Sequence, residues 1–214
     1  MKFILISDLH ISLEQPIGRL DNVAVISFHK LNIVLEYARK INAVVVQAGD
    51  FVDKPRSWFL LPMLTSCLMK YKIPIYCVAG QHDVYMYNEE TKDNTTLGVL
   101  AKAGLVHILN EHPVEIRNVR IYGASHGQEI PVPDDGLVNI LVVHEPIAME
   151  WAGVDYIDAE VFLKEHKEYD YILCGDIHRK FLIQKNGRTI LNTGPMVRRS
   201  ATEYNFKHAP GFLF

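Results

Sequence analysis

The sequence lacks a large charge excess, a cysteine framework, a long apolar run and an internal repeat. Its 22 Lys and Arg against 25 Asp and Glu leave a formal net charge of −3. That excludes a protein that holds nucleic acid by bulk positive charge, although a local basic strip is invisible in such a sum. The three cysteines, Cys67, Cys77 and Cys174, are an odd number in apolar surroundings. They exclude a disulfide scaffold and point to buried thiols in a reducing compartment, with the cytoplasm as the default. No stretch reaches about 18 uninterrupted apolar residues, so no membrane span is expected. The opening Met1-Lys2-Phe3-Ile4-Leu5-Ile6-Ser7-Asp8 is too short an apolar run for a secretory leader. Without a fixed-period repeat, a low-complexity tract or a Gly/Ser linker, the 214 residues read as one domain over 1–214, and 49% hydrophobic content supports a large core.

What the chain does have is one pattern used five times: an apolar run followed at once by ligand-type residues. The segments are Ile4-Leu5-Ile6-Ser7-Asp8-Leu9-His10, Val44-Val45-Val46-Gln47-Ala48-Gly49-Asp50, Val78-Ala79-Gly80-Gln81-His82-Asp83, Ile140-Leu141-Val142-Val143-His144 and Ile172-Leu173-Cys174-Gly175-Asp176-Ile177-His178. Continuous apolar runs of this length, without alternation, are expected of strands buried on both faces. Between the first two, Ile26 to Ile41 carries apolar residues mostly at three- and four-residue spacings, which predicts a helix and hence a parallel strand-helix-strand unit.

A second helix is expected from about Ser57, as N-cap, to Tyr71, with Pro62 marking a kink or a later start. Strands are expected over Ile73–Val78 and Val106–Leu109, with a short helix ending near Gly104 between them. The second half is richer in strands: a hairpin around Asn118, a run over Val138–Val143, a helix capped by Asp158 and a strand over Tyr169–Cys174. A hairpin folded at Asn186-Gly187 follows, since that dipeptide suits a type I′ turn. The expected fold class is α/β: two facing sheets with outer helices.

In open α/β sheets, sites form outside the carboxyl ends of the strands, so residues placed there by different strands converge. Asp8, His10, Asp50, Gln81, His82, His144, Asp176 and His178 all occupy that position. Mixed oxygen and imidazole ligands suit manganese, iron or zinc, and two cations sharing one carboxylate make a site for in-line attack on phosphorus. Each segment alone has a plainer reading as a cap, a turn or a buried histidine with a backbone partner. Their coincidence in one chain favours the metal site.

These residues resemble the five ordered motifs of the calcineurin-like metallophosphoesterases over nearly the whole chain. The resemblance implies a four-layer α/β/β/α fold, a two-sheet sandwich flanked by helices. By it, Asp8, His10, Asp50 and His178 would hold one metal; Asp50, Gln81, His144 and Asp176 would hold the other; His82, ordered by Asp83, would assist the reaction. Mn2+ is the expected cation, with Mg2+, Fe2+ and Zn2+ as alternatives.

Within that superfamily, the run from Ala48-Gly49-Asp50 through Asp53-Lys54-Pro55-Arg56 to Gly80, and the segment Asn192-Thr193-Gly194-Pro195-Met196-Val197-Arg198-Arg199, are similar to SbcD-type DNA repair nuclease subunits and their phage relatives. That likeness implies DNA as substrate, an ABC ATPase of the SbcC type as partner, and a homodimer. Ending at Gly211-Phe212-Leu213-Phe214, the chain reads as the catalytic domain without capping and ATPase-docking regions.

Arg56, Arg179, Arg198 and Arg199 are candidates to touch DNA phosphate, since such contacts need charge and reach rather than a unique geometry; their plainer reading is a solvated surface. His126 lies in a loop and either lines the site or caps a turn. Gln81 and Asp176 depart from the family's asparagine and histidine, and both changes fall on the second metal. The added negative charge favours harder cations. Two further functions stay open: a small-molecule phosphoesterase acting on a nucleotide, and a binding module that has kept the fold but lost catalysis.

Overall fold

Strand β1 (Lys2–Ser7), helix α1 (Val23–Ile41) and strand β2 (Ala43–Ala48) form the first parallel unit, with Lys2 opposite Ala43 and Ser7 opposite Ala48. The computed structural model describes residues 1–134, 136–151 and 153–214. Asn22 caps α1 by accepting from the Val25 amide, and Arg39 and Lys40 sit in its last turn, where cations complement the helix dipole. Its buried face is Leu31, Val34, Leu35 and Ala38, the three- and four-residue spacing seen in the sequence.

Helix α2 (Leu61–Tyr71), strand β3 (Ile75–Val78), a 3₁₀ turn over Glu89–Asn94, helix α3 (Thr96–Lys102) and strand β4 (His107–Ile108) complete a four-stranded parallel sheet ordered β1-β2-β3-β4. Helix α2 starts later than expected. Ser57 does not cap it: its hydroxyl donates to the Lys54 carbonyl at 3.2 Å, and Pro62 sits in the first turn, where its missing N–H costs nothing.

The second sheet has six strands in the order β11-β12-β10-β7-β6-β5. They are β5 (Val114–Ile116), β6 (Val119–Ala124), β7 (Val138–Glu145), β10 (Tyr171–Asp176), β11 (Phe181–Lys185) and β12 (Arg188–Asn192). Strands β6, β7, β10 and β12 run parallel, and the two hairpins, β5-β6 and β11-β12, are antiparallel. Asn186 and Gly187 have φ of 52° and 77°, the left-handed pair a type I′ turn requires. Between β7 and β10, a small parallel pair, β8 (Ile147–Ala148) and β9 (Ile157–Asp158), precedes helix α4 (Ala159–Glu165), which Asp158 caps as expected.

Three apolar clusters define the layers. Ile4, Ile6, Val45, Leu31, Leu64 and Leu97 join the first sheet to its helices; Val46, Val78, Val142 and Leu173 lie between the sheets; Leu141, Ile172, Phe162 and Leu163 join the second sheet to α4. This is the expected α/β/β/α order. Leu213 bridges to Leu5 on the free edge of β1. All three cysteines are buried and free. Among the described residues, no helix is long and apolar enough to cross a membrane.

Candidate metal centre

Strands from both sheets end on one side of the molecule, and the turns that follow them are held in unusual backbone conformations. Asp8, His10, Asp50 and Asp176 all have positive φ, at 46°, 44°, 54° and 88°. That region is strained for residues with a Cβ, and such strain collects where a side chain has to be aimed. The turns are tied together: the His10 amide donates to Asp50 O at 2.9 Å, and the Asp176 amide to Asp8 Oδ1 at 3.0 Å. Glycine is required where they meet. A Cβ at Gly49 would overlap the His144 ring, and one at Gly80 would overlap the Asp50 carboxylate.

The side chains converge. His10 Nε2 lies 2.9 Å from His178 Nε2 and 3.5 Å from Asp50 Oδ2. His178 Nε2 is 3.8 Å from Asp8 Oδ1, and His144 Nε2 is 3.5 Å from Asp50 Oδ2. Asp8, His10, Asp50 and His178 thus offer one atom each within 4.8 Å of one another, close enough to share a cation. His10, Asp53 and His82 form a second such group.

The chemistry of the donors fits a cation. Asp8 Oδ2, Asp50 Oδ2, His144 Nε2 and Gln81 Oε1 are buried without a hydrogen-bond partner, a costly arrangement unless another group satisfies them. His144 Nδ1 lies 2.7 Å from the Ala48 carbonyl, which can only accept, so this nitrogen carries a hydrogen and directs Nε2 at Asp50. Burial, reinforced by neighbouring histidines, lowers His10 and His178 to about 3, which keeps both imidazoles neutral and able to ligate. Burial also pushes Asp8 above the usual carboxylate range. For Asp50, burial acts in the same direction, but His144 and His10 outweigh it and hold the carboxyl below that range. Burial resists charge on His144; Asp50 overrides it and lifts the imidazole to about 10.

The calcineurin-like phosphoesterase model matches residues 1–180. The chain belongs to this family. It is a metal-dependent phosphoesterase. Comparison with curated proteins finds no match in sequence. Among solved structures, the phosphoesterase is similar to TT1561 of Thermus thermophilus, at 12% identity and TM-score 0.56 over 90% of this chain and 88% of that one. A dimetal phosphatase from Danio rerio is similar at 12% identity and TM-score 0.59, over 90% and 87%. A putative 5′-nucleotidase from Staphylococcus aureus is similar at 13% identity and TM-score 0.55, over 90% of this chain and 48% of that one. At such identities the likeness concerns the fold.

One expected relationship differs in the phosphoesterase. Asp83 does not order His82; its carboxylate accepts from the amides of Phe51, Val52 and Gly80 at 3.0–3.1 Å, because the tight turn after β3 points it back at the backbone. His82 Nδ1 instead lies 3.0 Å from the Asp53 carbonyl and 3.7 Å from its carboxylate. Asp53 is the residue sequence reasoning missed as a member of the site. Its only signal is its place three residues after Asp50, in a loop that reads as a turn.

The arginines disperse. Arg199 reaches the centre, where it is ion-paired with Asp53 and its Nη1 lies 3.5 Å from His10 Nδ1. Arg179 lines a cavity of about 650 Å3 that opens on Asp176 and His178. Arg198 turns away, donating from Nε to the His208 carbonyl at 2.8 Å. Arg56 lines a separate cavity of about 240 Å3 beside Trp58 and Phe59. The His126 ring lies 6.3 Å from that of His144, so this loop does border the site.

Proposed function

We propose that the phosphoesterase is a dinuclear-metal DNA nuclease of SbcD type that acts in DNA repair or recombination. The observation that carries the dinuclear reading is the set of buried atoms without partners, drawn from both sheets and centred on Asp50. Asp8, His10, Asp50 and His178 would hold one cation, and Asp50, Gln81, His144 and Asp176 the other. Two divalent cations bound there would supply a nucleophilic water at neutral pH and neutralise the phosphate oxygens; Asp176, in place of the family's histidine, favours a harder cation such as Mn2+ in the second set.

The chain's own residues do the rest. Asp50 spans both sets, and its Oδ1 accepts the His82 amide at 2.9 Å, which fixes His82 against the centre. With Nδ1–H committed to the Asp53 carbonyl, Nε2 is the nitrogen that exchanges a proton with the leaving oxygen. Arg199, ion-paired with Asp53, and Arg179, ion-paired with Glu150 at 2.7 Å, are the candidates to meet substrate phosphate, each by exchanging its carboxylate for the phosphate. The reading of DNA as substrate is supported by the likeness of the Ala48–Arg56 and Asn192–Arg199 segments to SbcD-type nucleases, and by the open cavity beside His178. An SbcC-type ATPase partner and a homodimer belong to the same reading and rest on that likeness; a cytoplasmic location rests on the three buried, free cysteines.

Manganese-dependent degradation of linear DNA, measured beside a panel of nucleotides, tests the proposal. DNA degradation that is lost in His82→Ala supports it. Nucleotide turnover with intact DNA replaces it with the small-molecule reading, and two bound cations with no turnover of either leave only the binding module.

A further inference from the structure

The cavity beside His178 does not end at the metal centre's rim. It shares Ser200 and Asn205 with a second cavity of about 500 Å3, which lies against the start of α1 and is lined by Arg19, Lys30 and Arg198. Three cations therefore face one space, with Asp21 the single carboxylate on its lining.

Their pairing is uneven. Arg19 is neutralised by Asp21, with Nε 2.6 Å from Oδ1. Lys30 Nζ donates to the Met196 carbonyl at 2.6 Å and Arg198 Nε to the His208 carbonyl at 2.8 Å. Among the described residues, neither has a carboxylate within 4.0 Å. Both are part-buried, so two positive charges sit in a partly desolvated space with only neutral acceptors. Such an arrangement is relieved by an anion. Burial, then the charges of Arg19 and Arg198, lower the Lys30 ammonium, with Asp21 opposing in part. Ser200 Oγ accepts from Asn205 Nδ2 at 2.6 Å, which leaves its hydroxyl hydrogen to donate.

We propose that this cavity is a second phosphate subsite, which holds a backbone phosphate of a nucleic acid strand whose scissile phosphate lies at the metal centre. The subsite rests on the nuclease reading and deepens it. The two cavities adjoin at Ser200 and Asn205, which line both. Its charge is local, which is why a chain of net charge −3 still carries it.

The test uses the full chain loaded with Mn2+ and Lys30→Gln. Binding of a labelled single-stranded oligonucleotide is measured against salt concentration, beside turnover of bis(p-nitrophenyl) phosphate, which is too short to reach the subsite. Loss of one phosphate contact lowers the slope of log K against log salt by about 0.7, the single-strand value per contact. Lys30→Arg, which keeps the charge, restores the slope and controls for loss of the bond to Met196. Support is a reduced slope in Lys30→Gln, a wild-type slope in Lys30→Arg and equal turnover of the small diester. Wild-type DNA cleavage with an unchanged slope in Lys30→Gln overturns the subsite and leaves the nuclease reading standing. Equal losses on the oligonucleotide and the small diester place the fault at the metal centre and also overturn it. Wild-type protein that neither binds nor cleaves DNA overturns both.

Discussion

Gln81 Nε2 donates to Asp176 Oδ1 at 2.6 Å. The two residues that depart from the family's asparagine and histidine are thus partners of each other, and Gln81 Oε1 is left buried and without a hydrogen-bond partner. The extra methylene of glutamine is what brings the amide within reach of a carboxylate supplied by the other sheet. Together they present two oxygens where the family pattern presents one oxygen and one imidazole.

A pair that acts as a unit should fail as a unit. Gln81→Asn shortens the amide away from Asp176, and Asp176→His removes its acceptor. Each change alone should weaken the second Mn2+ by about tenfold or more, the usual cost of disturbing a ligand's support. The double variant, which restores the family combination, should bind within a few-fold of wild type. Mn2+ titration followed by electron paramagnetic resonance reads this directly. Additive losses in the double variant would show that the two residues contribute separately.

Asp83 and His82 should separate stability from catalysis. Removing the Asp83 carboxylate strands the amides of Phe51, Val52 and Gly80, all buried. Asp83→Ala should cost about 3 kcal/mol or more in urea unfolding, at 1–3 kcal/mol for each unsatisfied buried group. His82→Ala touches a half-exposed ring and should leave the unfolding midpoint nearly in place, while lowering kcat by about a hundredfold to ten-thousandfold, the range of general acid-base contributions. The opposite pattern would return Asp83 to the role of orienting His82.

Gly80 is a geometric requirement of the centre. The Cβ of Gly80→Ala would meet the Asp50 carboxylate, the Asp50 amide and His144 Nε2, none of which is the free end of a flexible chain. Stability should fall by about 1–3 kcal/mol, as for other overpacked sites, and Mn2+ affinity should fall with it. Calorimetry with and without Mn2+ measures both. A variant with wild-type metal affinity would mean that the loop after β3 yields more easily than its hydrogen bonds indicate.

The strands and their polar ends were legible because buried strands read as unbroken apolar runs, and a ligand-type residue directly after one has nowhere to go but the sheet's carboxyl edge. Asp8, Asp50, His144 and His178 were found that way. The His82–Asp53 contact was not legible, since it depends on how two loops from different strands fold back toward each other. The Gln81–Asp176 bond is likewise invisible, because it joins residues 95 positions apart. Arginine placement is the weakest inference from sequence: Arg198 and Arg199 are neighbours, yet one points to His208 and the other to Asp53. The start of α2 slipped because Ser57 and Pro62 both suit a first turn, and the helix takes the later start, where Pro62 needs no N–H.

His208, to which the sequence assigns no role, should give the fold a pH dependence. Its Nε2 lies 2.9 Å from the Pro195 carbonyl, and its ring stacks on Tyr204 at 5.7 Å. A side chain at Gly194 would strike it, so it anchors the segment that carries Arg198 and Arg199. Burial lowers its pKa below the ordinary 6.5, with the bond to Pro195 opposing in part. The unfolded chain therefore takes up a proton first as pH falls. The stabilisation is fully present above about 6.5 and is lost as pH drops below it. His10 and His178 act with the same sign, whereas Asp8, Asp83 and His144 are raised and act with the opposite one, so the His208 contribution is read as the difference between wild-type and variant metal-free protein from pH 7.5 to 5.5. His208→Gln should lose less over that interval, although it starts from a lower value. Urea unfolding at both pH values gives the difference; equal losses in the two proteins would mean that His208 titrates alike in the folded and unfolded states.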